Sequence, residues 1–141
     1  MRHLTTAALV CAALVSAPPA HAASADAVVL QFFGGYGADF RSIGMFGDAT
    51  IIGTDGIPTT YGCGMQGPVL HDAAGDVGTL EGGCGPWPLT CVFVRVGVVA
   101  DLTCITPTVG VLEAAGTWVP HDVLPTTSFD VTLAGTVAVL P

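Results

Sequence analysis

The sequence contains no lysine, and its three arginines stand against eleven acidic residues, which gives a formal net charge of -8. Proteins that bind nucleic acid need cations to neutralise phosphate groups, so this composition argues against nucleic acid as a partner. Anionic membrane surfaces are disfavoured for the same reason. We interpret the acidity as a means of keeping a protein rich in valine and glycine soluble.

Long apolar runs are also scarce, and the clearest one lies at the N-terminus. A short positive start, Met1–His3, precedes an apolar stretch over Leu4–Val15 that is too short to cross a bilayer, and Ala20–Ala22 then offers small residues for cleavage. This pattern predicts a secretory signal peptide over residues 1–22 and a single domain over residues 23–141. The protein is therefore expected to be secreted, either extracellular or associated with the cell envelope.

The remaining part of the chain has one other apolar stretch, Leu89–Ile105. Arg95 and Asp101 interrupt it, and valine dominates between them. Valine at this density favours a buried strand over a lipid-facing helix. We therefore predict no transmembrane segment in the mature chain.

Five cysteines are present, of which Cys11 lies within the predicted signal peptide. An even number in a small exported domain is typical of disulfides, so we expect two. The Cys-x-x-Cys pairs and clustered histidines of a zinc site are missing, and neither a metal nor another cofactor is expected. The four cysteines of the mature chain are Cys63, Cys84, Cys91 and Cys104.

Helical spacing is nearly absent, because glycine and proline recur throughout and β-branched residues dominate between them. The pattern predicts an all-β fold, a small antiparallel sandwich or barrel of roughly eight short strands stapled by two disulfides. Strands are predicted over residues 27–33, within 41–46, and over 49–53, 58–63, 68–71, 76–80, 91–104 (as one strand or two), 109–119 and 129–139.

A turn at Asp72–Gly75 suits a type I hairpin in which His71 pairs with Asp76. The same register brings Cys63 opposite Cys84, and this pairing leaves Cys91 for Cys104.

The second pair requires the chain to reverse between its two cysteines, because a straight strand would hold them roughly 43 Å apart. Gly97-Val98 offers a two-residue turn at the midpoint. Against this, alternation from Val92 to Leu102 is typical of one uninterrupted strand. In that alternative, Cys84 pairs with Cys91 and Cys63 with Cys104. We slightly favour the hairpin.

Residues for catalysis are few. The candidate serine nucleophiles lie outside any Gly-x-Ser-x-Gly elbow, and sequence does not show the geometry of a triad. The only two glutamates do not define a glycosidase pair, and two His-Asp dipeptides are weak metal candidates beside turns. We expect no enzymatic activity. The residues considered are Ser24, Ser42, Ser128, His71, His121, Asp72, Asp122, Glu81 and Glu113.

The segment Cys84–Cys91 holds Trp87 between two prolines. Proline stiffens a loop and tryptophan often anchors an interface, so a loop presenting Trp87 and Leu89 would suit a protease or enzyme inhibitor. The favoured alternative is that Trp87 folds back over the open end of the sheet.

We therefore expect a secreted, non-catalytic module whose partner is an unknown small ligand or an extracellular protein. As a carrier it would hold its ligand between sheets or in a barrel mouth, lined by Phe32, Phe33, Tyr36 and Trp118. The alternatives are an inhibitor acting through Trp87 and Leu89, and a surface component that associates through exposed strand edges over residues 27–33 and 129–140. A small extracellular hydrolase is the least favoured reading.

Overall fold

Short stretches of alternating apolar residues, separated by turns rich in glycine and proline, form eight strands. The computed structural model describes residues 25–107, 110–121 and 126–139. The predicted signal peptide, its cleavage point and Cys11 lie outside these residues, as do Ser24 and Asp122. The strands are β1 (Ala25–Tyr36), β2 (Ser42–Ile52), β3 (Pro58–His71), β4 (Gly75–Cys84), β5 (Trp87–Val96), β6 (Val99–Thr106), β7 (Gly110–Pro120) and β8 (Ser128–Val139).

Each strand pairs antiparallel with the next, and β8 pairs with β1, so the sheet closes into a barrel. The prediction of an all-β fold is confirmed, and the barrel replaces the sandwich alternative. Alternation decides which side chains enter the interior: on β1, Val28, Leu30 and Phe32 are buried while Val29 and Phe33 face outward. The interior of eight strands is just wide enough for such side chains or for one small ligand.

Closure removes the strand edges from which surface association was inferred. Residues 27–33 pair with β2 on one side and with β8 on the other, in a register from Ala25 opposite Ala138 to Gly35 opposite Ser128. The expectation that residues 27–33 and the described part of 129–140 form exposed edges is therefore wrong. Their backbone groups are already engaged in ladder hydrogen bonds.

Both disulfides form as predicted by the favoured pairing. Cys63 lies opposite Cys84 on β3 and β4, and Cys91 lies opposite Cys104 on β5 and β6. The alternative of one straight strand is wrong, because the chain turns at Gly97, whose φ of 61° favours glycine. The alternation changes face at this turn: Val92 points outward, whereas Leu102 points into the barrel.

The two strands predicted within residues 41–46 and 49–53 form the single strand β2 instead. Gly47 and Asp48 do not turn the chain between them. Gly47 faces inward where β1 passes close by, and a Cβ there would collide with the backbone of Gln31 and Phe32. The glycine therefore marks a close approach of two strands rather than a break.

The two ends of the barrel differ. One end, which we call the mouth, carries the connections β2–β3, β4–β5 and β6–β7, together with the start of β1 and the end of β8. The other, the closed end, carries the remaining four connections. Within the described ranges, no helix is long and apolar enough to cross a membrane.

Candidate functional site

A cavity of about 350 Å³ opens at the mouth of the barrel. Its volume falls at the lower end of the range of small-molecule sites, and barrel mouths are among their common positions. Apolar and aromatic side chains dominate the wall, including Ile51, Tyr61, Trp87, Leu89, Leu112 and Val137. One cysteine from each disulfide, Cys84 and Cys104, also lines it.

Both disulfides lie within the barrel wall. Each joins neighbouring strands, with Cα atoms 4.1 Å apart for Cys63 and Cys84 and 4.0 Å apart for Cys91 and Cys104. The cysteine side chains bond to each other across adjacent strands, along the barrel wall.

Trp87 and Tyr61 form the aromatic part of the wall. Their rings meet edge to face, with centroids 4.7 Å apart. The turn before Trp87 fixes this contact: Gly85 has φ 54°, its N–H donates to the Gly62 carbonyl at 2.9 Å, and a Cβ on it would lie 2.6 Å from Cδ1 of Tyr61. Only glycine suits this position, on both backbone and steric grounds.

Two carboxylates, Asp26 and Asp55, lie at the cavity. Asp26 faces inward near the start of β1, and Asp55 belongs to the β2–β3 turn, where its Oδ1 accepts the Ile57 N–H at 2.9 Å. Neither forms an ion pair with another described residue. The cavity thus combines an apolar wall with two negatively charged groups.

The closed end is filled by a buried polar cluster centred on Asp76. Its Oδ2 accepts hydrogen bonds from the Tyr36 hydroxyl at 2.5 Å and from Nε of Arg95 at 2.7 Å. Nδ1 of His71 lies 2.5 Å from its Oδ1. Four strands are thereby tied together inside the barrel, since these residues lie on β1, β3, β4 and β5.

The guanidinium group of Arg95 has further partners besides Asp76. Nη1 donates to the Gly97 carbonyl at 2.9 Å and Nη2 to the Asp72 carbonyl at 3.1 Å. Its guanidinium carbon lies 4.0 Å from the centroid of the Trp118 ring, a cation–π distance. A charge that is buried, paired, hydrogen-bonded and stacked in this way acts as a structural anchor.

Burial raises the pKa of Tyr36 well above its usual value of about 10, and the hydrogen bond to the Asp76 carboxylate and the charge of that carboxylate raise it further. Arg95 opposes the shift but does not cancel it. The phenol is therefore a neutral hydrogen-bond donor at physiological pH.

A separate polar group, formed by His121, Ser128 and Asp130, lies on the outer surface near the closed end. Nδ1 of His121 is 3.1 Å from Oγ of Ser128, and its Nε2 is 2.7 Å from Oδ2 of Asp130. This is the residue set of a serine hydrolase, but the Asp130 side chain is 58 % exposed. A nucleophile activated by such a pair works in a shielded site with oxyanion donors, and the described residues show neither around Ser128.

The structure divides the residues proposed for ligand binding between the two ends. Trp87 and Leu89 line the mouth cavity, whereas Tyr36 and Trp118 belong to the closed end. Phe32 is buried in the core, and the expectation that Phe33 lines a cavity is wrong because it faces outward. The four residues proposed as a carrier lining, Phe32, Phe33, Tyr36 and Trp118, therefore do not form one cavity.

The segment Cys84–Cys91 is not the loop that the sequence predicted. Cys84 ends β4, and β5 begins at Trp87 after a tight turn. Leu89 is buried and Trp87 half-buried, both on the inward face. The prolines at positions 86 and 88 therefore flank the start of a strand, and the alternative in which Trp87 covers an open end describes its position better.

Sequence reasoning missed Tyr61, Asp26 and Asp55 as cavity residues, and Arg95 and Asp76 as a pair. The two-residue alternation of side chains along a strand would have placed Asp26 on the same face of β1 as Val28 and Leu30. The pairing of Asp76 with Arg95 follows from the register of β4 and β5, which the loop prediction concealed. Across the described ranges, His, Cys, Asp and Glu side chains nowhere gather in groups of three or more suited to a metal.

Comparison with known proteins gives no relative: no family model, curated protein or solved structure matches the chain. The mouth cavity and the groups around it are the features of the molecule that bear on its function.

Proposed function

We propose that the protein is a secreted, non-catalytic carrier that binds a small, mainly apolar ligand in the mouth cavity. The observation that supports this most directly is the open, mostly apolar cavity at one end of a barrel whose other end is filled. A pocket with an apolar wall and a few polar groups is the usual form of a small-molecule site.

The contrast between the two ends strengthens the proposal. At the closed end, Phe129 packs against Tyr36 and Trp118, with ring centroids 5.2 and 5.7 Å away, and the buried Arg95–Asp76 pair contacts the same two residues. At the mouth, glycine and cysteine occupy inward positions where large side chains would close the barrel. A barrel that needed only stability would gain from burying more apolar surface there.

Secretion is supported by the N-terminal pattern and by the two disulfides, which persist in oxidising compartments. Absence of catalysis is the simplest account of a cavity whose wall offers aliphatic, aromatic, hydroxyl and carboxylate groups. No described nucleophile with an adjacent base lines the cavity.

The inhibitor and the surface component inferred from the sequence each depended on a structural feature that the described residues do not form. Inhibition required Trp87 and Leu89 on a projecting loop, and they lie on the inner face of β5. Surface association required free strand edges, and β1 pairs with β8.

The test is binding of N-phenyl-1-naphthylamine, a neutral probe whose fluorescence rises in apolar surroundings. We expect one probe per chain. Trp87→Ala should weaken binding by about tenfold or more, the order found when a central tryptophan contact is removed.

The matched control is Phe46→Ala, which removes an aromatic side chain that is 61 % exposed on the outer surface. It should leave probe affinity unchanged. If the probe fails to bind, or if the two variants weaken binding equally, the mouth cavity is not a ligand site.

A further inference from the structure

Charges are unevenly distributed along the barrel axis. Arg41 and Arg95 are the arginines that the structure describes, and His71 and His121 are its histidines. All four lie at the closed end: Arg41 in the β1–β2 connection, His71 and Arg95 in the Asp76 cluster, and His121 just after β7. Among the described residues, basic side chains are therefore confined to the closed end.

The mouth cavity carries charge of the opposite sign. Asp26 and Asp55 line it, and no described cation does. Asp55 keeps one oxygen occupied by the Ile57 N–H, and no other described hydrogen bond engages its second oxygen. Because the cavity is partly closed by low-dielectric walls, the field of these carboxylates is focused into it and is less screened than on open surface.

The aromatic wall adds to the same preference. Trp87 and Tyr61 line the same cavity as these carboxylates, and aromatic faces attract cations. An anionic ligand would meet two like charges and no compensating cation among the described side chains of the wall. A metal ion would meet two carboxylates, with no third ligand among the described residues to complete its coordination.

We propose that the ligand of the mouth cavity is a small organic cation, a protonated or quaternary amine attached to an aromatic or aliphatic body. The apolar body would contact the wall formed by Ile51, Leu89 and Leu112. The charged nitrogen would be attracted by the carboxylates of Asp26 and Asp55 and by the aromatic ring of Trp87. This rests on the proposed function, since it specifies what that cavity binds.

The experiment compares three probes of nearly equal size by calorimetry at low ionic strength: 2-naphthylmethylammonium, 2-naphthylmethanol and 2-naphthoate. We expect the ammonium to bind about tenfold more tightly than the alcohol, the order expected of a cation–π contact acting with a screened ion pair. The carboxylate should bind most weakly. The preference for the ammonium should shrink as salt is raised.

Variants identify the groups responsible. Asp26→Asn/Asp55→Asn retains the shapes of both side chains and the Asx turn to Ile57 but removes both charges. It should bring the ammonium within about twofold of the alcohol. The control Asp48→Asn/Asp101→Asn removes two charges from outward-facing, exposed positions and should preserve the preference.

The outcomes separate this inference from the proposed function. If no probe binds, the carrier function itself fails and the inference fails with it. If all three bind the wild-type protein equally, the cavity is a ligand site without charge selectivity and only the inference fails. The inference also fails if the preference for the ammonium survives in Asp26→Asn/Asp55→Asn.

Discussion

Arg95 donates from Nε to Oδ2 of Asp76 at 2.7 Å, and both side chains are almost completely removed from solvent. The pair joins β4 to β5 inside the closed end, where Tyr36 and His71 complete the coordination of the carboxylate. Removing two charges from water is costly, and it is tolerated here because the two charges pair with each other and Arg95 donates further hydrogen bonds to the Gly97 and Asp72 carbonyls. This cluster plugs one end of the barrel, and the mouth is left as the end that can accept a ligand.

Asp76→Asn should lower the free energy of unfolding by about 3 kcal/mol, because it leaves the Arg95 guanidinium buried without its counter-charge. Urea denaturation under non-reducing conditions measures this. Asp130→Asn serves as the control, since it also removes an aspartate from a pair with histidine, but on the surface. It should change stability by less than about 0.5 kcal/mol. Equal effects would show that the closed-end cluster is not an anchor.

Tyr36 should make stability fall at alkaline pH. Its pKa is raised in the folded state, so the stabilisation is fully present below the unfolded value of about 10 and is lost as pH rises above it. In Tyr61→Phe, Tyr36 is the only tyrosine left, and its phenolate absorbance should appear well above pH 10.

The same property can be followed through unfolding. Urea midpoints measured between pH 8 and 11 should decline more steeply above pH 10 for the wild-type protein than for Tyr36→Phe. A phenolate that appears near pH 10 in folded Tyr61→Phe would contradict the burial of this hydroxyl.

Gly85→Ala should disturb the mouth, whereas Gly97→Ala should not. Both glycines have positive φ, 54° and 61°, so each substitution costs about 1 kcal/mol of backbone strain. Only at Gly85 does the new methyl group meet a neighbour, Cδ1 of Tyr61 at 2.6 Å; nothing lies within 4 Å at Gly97. Affinity for N-phenyl-1-naphthylamine should fall in Gly85→Ala and stay unchanged in Gly97→Ala. Equal affinities would mean that Tyr61 does not shape the cavity.

Ser128 should be inert towards diisopropyl fluorophosphate despite its contact with His121. The pair is on the exposed surface, and without a shielded site the hydroxyl gains little nucleophilicity. Intact-mass analysis after incubation should show no adduct. An adduct on Ser128 that disappears in His121→Ala would overturn the non-catalytic proposal.

Local sequence patterns predicted which side chains of a strand face inward, and they predicted both disulfides. The turn at Asp72–Gly75 sets a register that is the same where His71 lies opposite Asp76 and where Cys63 lies opposite Cys84. Such inferences succeed because hairpins depend on neighbouring residues and on a side-chain period of two. The face of Phe129, Val131 and Leu133 followed from the same period and is confirmed.

The position of each inward residue along the barrel could not be read in the same way. Tyr36 and Trp87 both face the interior, but they lie at opposite ends of the barrel. Tyr36 is the last residue of β1 and Trp87 is the first residue of β5, and these two strands run in the same direction. That distinction requires the order of all eight strands. The cavity depends on the same global information, since its wall draws on residues from every strand between Asp26 and Val137.

The pairing of β1 with β8 also governs the order in which the barrel can assemble. Each of the other seven pairings joins strands that are consecutive in the chain, and these can zip as soon as both partners are available. The seam from Ala25 opposite Ala138 joins the two ends of the domain and has the largest loop to close. A chain growing from its N-terminus therefore leaves one edge of β1 unpaired until its last strand arrives. Any species that stops short of β8 presents two open edges to its neighbours.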